Sequence, residues 1–160
     1  AFEGEEKVEV EVKSGKVAVY AQVKSDTQSE PELLEAQHSK AVSLRPNKKL
    51  EVIPNQKVVF DREAKEMIKT ISKAPELIRK LEDMPQFIFR EEAVTTVFEA
   101  LELAYGIDLI YNYQKLKTCT ITTKLDDEPL LQKLEIICLS LELSFREEDG
   151  NILIEGEACQ

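Results

Sequence analysis

The spacing of the apolar residues changes along this chain, and that change constrains its fold more than any other feature. Near the N-terminus, Val8, Val10 and Val12 alternate with charged residues. This two-residue period predicts a strand with one buried face. From residue 91 onward, apolar side chains recur every three or four residues, which is typical of amphipathic helices. The sequence therefore predicts a mainly β N-terminal domain followed by a small two-layer α+β domain.

The N-terminal region is predicted to contain a β-hairpin. Ser14-Gly15 is suited to a two-residue turn. Pairing across that turn places Val12 opposite Val17. The next pair outward on the same face is Val10 with Val19. This register would bury all four valines together.

Residues 24–40 are polar and acidic, which predicts a long surface loop with one helical turn at 31–36. Further short strands are predicted at 41–44, 50–53 and 57–60, because Pro- and Asn-containing turn sequences separate them. The segment 61–84 fits either a helix or an extended chain. Pro75 excludes one long helix there. We divide the chain into an N-terminal domain (1–71), a connector (72–84) and a C-terminal domain (85–160).

The C-terminal domain is predicted to follow the order β-α-β-β-α-β-β, with two helices on one face of a small sheet. The first helix is placed at 91–105, with Glu91 and Glu92 at its positive end and Gly106 as its C-terminal cap. The second begins near Asp126-Asp127-Glu128-Pro129, with a carboxylate as its N-terminal cap and Pro in its first turn. The remaining strands are predicted at 86–89, 107–111, 119–123, 143–146 and 152–155. The last two form a hairpin around Asp149-Gly150.

The charge balance argues against nucleic acid or an anionic membrane surface as a partner. The chain carries 31 acidic and 21 basic side chains, for a formal net charge of −10. Such a chain repels polyanions. No apolar run reaches the length of a membrane span, and the N-terminus lacks the features of a signal peptide. Because the sequence begins with Ala1 and not Met, we expect it to be part of a longer protein.

No group of residues in the sequence predicts catalysis, a metal or a cofactor. His38 is the single histidine and lies in the polar loop, without a second ligand at metal-binding spacing. The acidic clusters at 126–128 and 147–149 are explained by a helix start and a hairpin turn. Nucleophile elbows, phosphate loops and HExxH motifs are absent from the sequence. We therefore expect a protein that is not an enzyme.

Two ordered sets of residues carry a resemblance to a known family: 12–17 with 53–61, and 87–89, 97–109, 119–122, 134–138 with 149–154. The first set resembles the core domain of FecR-family regulators of the Bacteroidetes type. The second set resembles the family's C-terminal domain, which is similar to the short N-terminal domains of secretins and TonB-dependent transducers.

The resemblance implies a periplasmic sensing and docking part of a single-pass inner-membrane anti-sigma factor. Such a protein relays a signal from a TonB-dependent outer-membrane transducer to an extracytoplasmic-function (ECF) sigma factor. The implied partner is the transducer's signalling domain. The sigma factor would be contacted only by a cytoplasmic segment outside this sequence, and direct membrane contact is not expected. The family's usual form of segment 67–78 is extended, which favours a strand there.

The cysteines allow one further hypothesis. The pairing rule for the last hairpin brings Cys138 near Cys159, which suggests a disulfide between them. Such a bridge would fit a periplasmic location. Two buried thiols are the equal alternative. Cys119, on a predicted strand, is interpreted as a small core residue.

Two other functions are weighed against signal relay. A cell-envelope module that binds a small ligand or glycan would require an aromatic-lined pocket. An enzyme would require a cleft that joins His38 to a nucleophile and a carboxylate. For a docking module, exposed strand edges are the expected binding surface.

Overall fold

A computed structural model describes residues 7–20, 49–64, 66–78, 87–125, 128–157 and 159. In this part of the chain the fold is mostly β, with ten strands and three helices. In chain order the elements are β1 (Lys7–Glu11), β2 (Val17–Tyr20), β3 (Lys49–Val52), β4 (Gln56–Asp61), β5 (Glu66–Ile71), β6 (Ile88–Ala93), α1 (Val94–Tyr105), β7 (Leu109–Ile110), α2 (Tyr113–Leu116), β8 (Thr120–Lys124), α3 (Leu130–Ser140), β9 (Ser144–Glu148) and β10 (Asn151–Glu155).

Strands β1 to β5 form two antiparallel sheets, which we call the N-terminal sheets. One has the strand order β1-β4-β5, and the other pairs β2 with β3. The alternation in β1 predicted one buried face, and Val8 and Val10 are indeed half-buried while their charged neighbours are exposed. Segment 66–71 is extended, as the family resemblance favoured.

The predicted hairpin between β1 and β2 is wrong. Val10 lies opposite Val58 on β4, and Val19 lies opposite Leu50 on β3. The chain bends over residues 13–15 and carries β2 into the other sheet. This separation lets Val12 pack in a cluster with Val52, Val58 and Met67, whereas Val17 is left exposed. A tight turn would have kept Val12 and Val17 on one face, without that enclosed cluster.

The second half of the chain, residues 87–159, is called the C-terminal unit. Its elements follow the predicted order, with the short helix α2 added between β7 and β8. Its strands form two sheets and not the single predicted one: β6 pairs with β8, and β7, β10 and β9 make a three-stranded sheet. Within the latter, β7 runs parallel to β10 and β9 runs antiparallel to it.

Helix α1 begins three residues later than predicted. Glu91 and Glu92 belong to β6, where a bulge between Phe89 and Glu92 gives Glu91 a positive φ of 49°. The ladder with β8 continues to Ala93, so helical backbone begins only at residue 94. Its predicted cap is confirmed: Gly106 has left-handed backbone angles and donates its N–H to the Glu102 carbonyl at 2.7 Å.

Helix α3 and the last hairpin lie close to their predicted positions. The helix begins at Leu130, and the residue at its N-cap is Pro129 without a side-chain capping bond, so the predicted carboxylate cap is wrong. The hairpin pairs Asn151 with Glu148. Its turn residues Asp149 and Gly150 have positive φ angles of 52° and 75°, as a tight two-residue turn requires.

The described part of the chain contains two clusters of buried apolar residues. The smaller comprises four residues of the N-terminal region. The larger comprises 21 residues and includes the inward stripes of α1 and α3. Ile71, at the end of β5, belongs to this larger cluster. The β5 strand therefore ends inside the C-terminal core, at the point where the sequence predicted a domain boundary. The predicted strand at 41–44, the helical turn at 31–36 and most of the connector's second half lie outside the described residues.

Candidate functional site

The two outer strands of the three-stranded sheet in the C-terminal unit have different neighbours. On the β9 side, the Glu147 carboxylate accepts a hydrogen bond from the Ile71 backbone N–H at 2.6 Å and another from the Thr70 hydroxyl. Strand β5 of the N-terminal sheets therefore lies against β9. On the β7 side, the Leu109 N–H donates to the Glu102 carboxylate of α1 at 2.7 Å, while the side chains of Ile110 and of Tyr113 in α2 are exposed.

A cleft of about 640 Å³ lies beside β7. It is lined by residues of β7, α2, β10 and the chain that follows β10. Lys115 and Glu157 line it as well and form an ion pair across it at 3.5 Å. The cleft thus combines an apolar strand edge with exposed charges of both signs.

The N-terminal sheets join the C-terminal unit through a buried asparagine. Asn55 lies in the turn between β3 and β4 and is only 7% exposed. Its amide nitrogen donates to the backbone carbonyls of Glu76 and Tyr105, both at 2.7 Å. Its amide oxygen accepts from the Glu76 N–H at 2.8 Å. One side chain thus holds both segment 72–78 and the C-terminal end of α1.

The end of α1 receives a second donor from the same segment. The Ile78 N–H donates to the Ala104 carbonyl at 2.9 Å. The last carbonyls of a helix lack partners within the helix itself. At α1, Asn55 and Ile78 supply two of those partners, and Gly106 supplies a third at Glu102. A Cβ on Gly106 would lie 2.7 Å from the Ile78 side chain, which shows how closely the two segments approach.

Gln56 makes a further link to the C-terminal unit. This side chain is almost fully buried, and its amide nitrogen donates to the Gly150 carbonyl at 2.7 Å. Gly150 is the second turn residue of the β9–β10 hairpin. A Cβ at Gly150 would lie 2.7 Å from the Lys69 side chain. Glycine is favoured there by its positive φ of 75°, and a Cβ would also require the flexible Lys69 side chain to move. We call Asn55, Gln56 and Glu147 the junction residues.

A cleft of about 380 Å³ lies next to the junction residues. Among its lining residues are Lys57 and Lys73, the Glu147 carboxylate and the exposed apolar side of Leu131. Phe145 is the one aromatic residue among those lining it. A glycan site would use a broad aromatic surface, and this cleft offers a single ring.

The disulfide joins a different pair of cysteines from the one predicted. Cys119 and Cys159 are bonded, with their Cα atoms 5.4 Å apart, and Cys138 is a buried free thiol. The hypothesis of a Cys138–Cys159 bridge is therefore wrong. The hairpin ladder ends at the pair Glu155 and Ser144, so the pairing rule does not extend to residues 138 and 159. Cys138 instead faces the core from α3, where burial raises the pKa of its thiol to about 11.

Helix α3 also carries a buried lysine that the sequence analysis did not identify. Lys133 is 1% exposed, and its ammonium group donates to the Leu125 carbonyl. The same group lies 4.6 Å from the centre of the Phe87 ring and 4.0 Å from a Glu128 carboxylate oxygen. Lys133 thereby ties the start of α3 to the ends of β6 and β8.

The acidic clusters have structural partners where they are described. Glu128 pairs with Lys133, Glu148 lies 3.6 Å from Arg146, and Glu147 bonds to β5. Residues 126 and 127 and His38 lie outside the described residues. Among the residues that are described, no three His, Cys, Asp or Glu side chains could together hold a metal ion. In the same part of the chain, no helix is long and apolar enough to cross a membrane.

Sequence reasoning interpreted Pro54-Asn55-Gln56 only as a turn and Glu147 only as a hairpin residue. The sequence feature that could have indicated an interface is the pair of amide side chains, Asn55 and Gln56, that follows Pro54. Amides at a turn are usually solvated, whereas Asn55 and Gln56 are both buried here. Their partners are backbone carbonyls distant in sequence, and nothing in a single sequence identifies those.

Comparison with known proteins finds a similarity to a family model over part of the chain. Residues 86–154 match the family described as FecR, C-terminal. No curated protein matches the chain. Two crystal structures of a candidate anti-sigma factor from Parabacteroides distasonis, at 2.50 Å and 1.65 Å resolution, are similar to it. Each has 19% sequence identity and a TM-score of 0.42, over 99% of this chain and 62% of the other. The chain therefore spans less than two thirds of the length of those proteins.

Proposed function

We propose that this chain is the periplasmic docking part of a FecR-type anti-sigma regulator anchored in the inner membrane. The observation that carries the proposal is the family match over residues 86–154, which includes almost all of the C-terminal unit. The resemblance of residues 12–17 and 53–61 to the FecR core domain supports it. In this role the chain passes a signal from a TonB-dependent outer-membrane transducer toward an ECF sigma factor.

The proposed partner is the signalling domain of that transducer, and the proposed binding surface is the β7 side of the C-terminal unit. Strand β9, on the other side of the same sheet, is already in contact with β5 through Glu147. Strand β7 has an exposed apolar residue, Ile110, next to the cleft that Lys115 and Glu157 line. A strand of the partner that added to this edge would replace the Glu102 carboxylate at the Leu109 N–H and would bury Ile110.

The Cys119–Cys159 disulfide supports the proposed location. Structural disulfides persist in oxidising compartments such as the bacterial periplasm. Cys138 is a buried free thiol on α3 and takes no part in the bridge.

The proposal is tested by titrating the whole chain with a set of purified signalling domains of TonB-dependent transducers. We expect binding by calorimetry to one domain of the set and weaker binding to the others. No heat of binding up to high micromolar concentration, for any domain in the set, would contradict the proposed function.

Two isoleucines of equal exposure make a matched test of the binding surface. Ile110 on β7 and Ile68 on β5 are each 48% exposed. Ile110→Lys places a charge on the proposed docking edge and is expected to weaken binding at least tenfold. Ile68→Lys makes the same change on the N-terminal sheets and should leave the affinity unchanged. Equal effects of the two substitutions would exclude β7 as the docking edge.

A further inference from the structure

We infer that the junction residues lock the N-terminal sheets and the C-terminal unit into one rigid body. A protein with two domains on a connector is expected to allow motion between them unless their interface is extensive and specific. Here the interface combines hydrogen bonds of the buried amides Asn55 and Gln56 with those of the exposed Glu147, and their partners come from four separate parts of the chain. This inference concerns motion within the chain and stands independently of the proposed function.

The junction has few ways to open without cost. Asn55 uses all its side-chain hydrogen-bonding capacity but one on Glu76 and Tyr105, and it does so while almost fully buried. Gln56 is bonded to Gly150 and also accepts the Ile53 N–H at 3.3 Å. Separating the two regions would replace the hydrogen bonds between them with bonds to water, and it would lose the net stabilisation that they provide.

The C-terminal end of helix α1 depends on the preceding part of the chain for its hydrogen-bond donors. The Tyr105 carbonyl receives its hydrogen bond from Asn55, and the Ala104 carbonyl receives one from Ile78. Helix α1 is the central element of the large core, with Phe98 and Leu101 both buried. A displacement of the β3–β4 turn would therefore act directly on the end of the helix that organises the C-terminal unit.

The contacts are divided between two elements of the C-terminal unit. The β3–β4 turn contacts the end of α1 at Tyr105 and the β9–β10 turn at Gly150. Strand β5 contacts β9 through Glu147 and places Ile71 in the C-terminal core. Glu147 and Gly150 belong to the same hairpin, whereas Tyr105 ends α1. Attachment to both elements resists sliding of the two regions past each other as well as their separation.

Residual dipolar couplings of the whole chain in a dilute alignment medium test the inference. In the unsubstituted protein, amides of β1–β5 and amides of the C-terminal unit are expected to fit one common alignment tensor. If the two sets require different tensors, the regions move independently and the inference is wrong. This measurement does not depend on any variant folding, or on the identity of a partner.

A variant then identifies the residues responsible. Asn55→Gly keeps the left-handed backbone, since the φ angle of Asn55 is 64°, and removes its three side-chain hydrogen bonds. Combined with Glu147→Ala, it should split the single tensor into two. Glu142→Gly is the matched control, because Glu142 is exposed and has a φ of 54°. A single tensor in the double variant would assign the rigidity to other contacts and refute the role of the junction residues.

Hydrogen exchange provides an independent measurement on the same proteins. The Ile71 amide, which donates to Glu147, should exchange on the order of tenfold faster in Glu147→Ala. The Ile78 amide should behave similarly in Asn55→Gly, because both groups close the end of α1. Unchanged exchange at both amides would contradict the inference.

Discussion

The N-terminal sheets and the C-terminal unit differ in how they are stabilised. The C-terminal unit contributes 20 of the 21 residues of the larger core, and a disulfide closes its end. The smaller cluster of the N-terminal region contains four buried apolar residues. Much of the difference lies in secondary structure, because α1 and α3 supply broad apolar faces that short strands do not. Surface ion pairs such as Lys7 with Asp61 add little to the N-terminal side.

The smaller core suggests that the stability of the N-terminal sheets depends on their attachment to the C-terminal unit. Strand β5 ends with Ile71 in the C-terminal core, and Asn55 and Gln56 place their polar groups on the C-terminal unit. The family match covers 86–154 and excludes all three of these residues. We therefore expect the described N-terminal strands to be the first part of the chain to unfold, and the C-terminal unit the last.

The largest expected effect comes from Phe98→Ala. Phe98 is fully buried in the large core, and its ring centre lies 5.1 Å from that of Tyr111 with the two planes tilted by 54°. Its removal should lower the free energy of unfolding by about 3–5 kcal/mol. Val58→Ala in the smaller cluster should cost about 2 kcal/mol, from two lost methyl groups and a small cavity.

Hydrogen exchange distinguishes the two variants by region. Phe98→Ala should increase exchange throughout the chain, since the N-terminal sheets depend on the C-terminal unit. Val58→Ala should increase exchange in β1–β5 alone. Increased exchange in α1 and α3 caused by Val58→Ala would reverse the order of stability proposed for the two regions.

The next effect concerns the disulfide. Cys119 and Cys159 are 40 residues apart, and the loop they close lies wholly within the C-terminal unit. Reduction, or the paired substitution of both residues by alanine, should cost about 2–4 kcal/mol. Urea unfolding with and without a thiol reductant measures this loss in the free energy of unfolding. The alanine variant serves as the control and must show no response to the reductant.

The buried lysine offers a smaller effect and a comparison across the two regions. Lys133→Ala leaves the Leu125 carbonyl unpaired and removes the side chain from the Phe87 ring, at a cost of about 2 kcal/mol. Lys57 is the matched residue on the N-terminal sheets, with its side chain 14% exposed and 3.7 Å from Glu9. Lys57→Ala should cost less than about 1 kcal/mol. Thermal unfolding of both variants measures the difference, and equal losses would contradict it.

The smallest effect is a pH dependence of the free energy of unfolding, which is expected only above pH 9. Burial raises the pKa of the Cys138 thiol from 9.0 to about 11, so folding favours its protonated form. That contribution to stability is fully present below pH 9 and is lost as the pH rises through 11. Cys138→Ala should show a flatter stability profile between these values. At pH 7 the native thiol should resist alkylation until the chain unfolds, and rapid labelling of the folded protein would show that Cys138 is accessible.

Local patterns predicted individual elements well and their partners poorly. The Asp149-Gly150 hairpin and the Gly106 cap each depend on a few adjacent residues with one backbone solution, and both were predicted correctly. The β1–β2 hairpin failed because its register pattern is equally compatible with pairing to strands further along the chain. Burial of Val12 between two sheets decided between them. No local pattern contains that information.

The same limit applies to the candidate site. The sequence predicted that a disulfide was possible and selected the wrong cysteine, because the pairing rule was extended beyond the end of its ladder. The packing of the two regions determines which carbonyls Asn55 bonds to and which outer strand is covered. The family resemblance supplied the extended form of 66–71, which propensity alone left undecided.

The bond between Cys119 and Cys159 also determines how the chain would respond to mechanical force. A pull on residue 159 is transmitted through the sulfur atoms to residue 119, and bypasses everything between them. Strand β8, helix α3 and the final hairpin all lie inside that bypassed loop. About 140 Å of contour length, at roughly 3.5 Å for each of the 40 residues, is therefore hidden from extension until the bond is reduced. Tension on the C-terminal end would load the start of β8, and through it β6, before it reached α3.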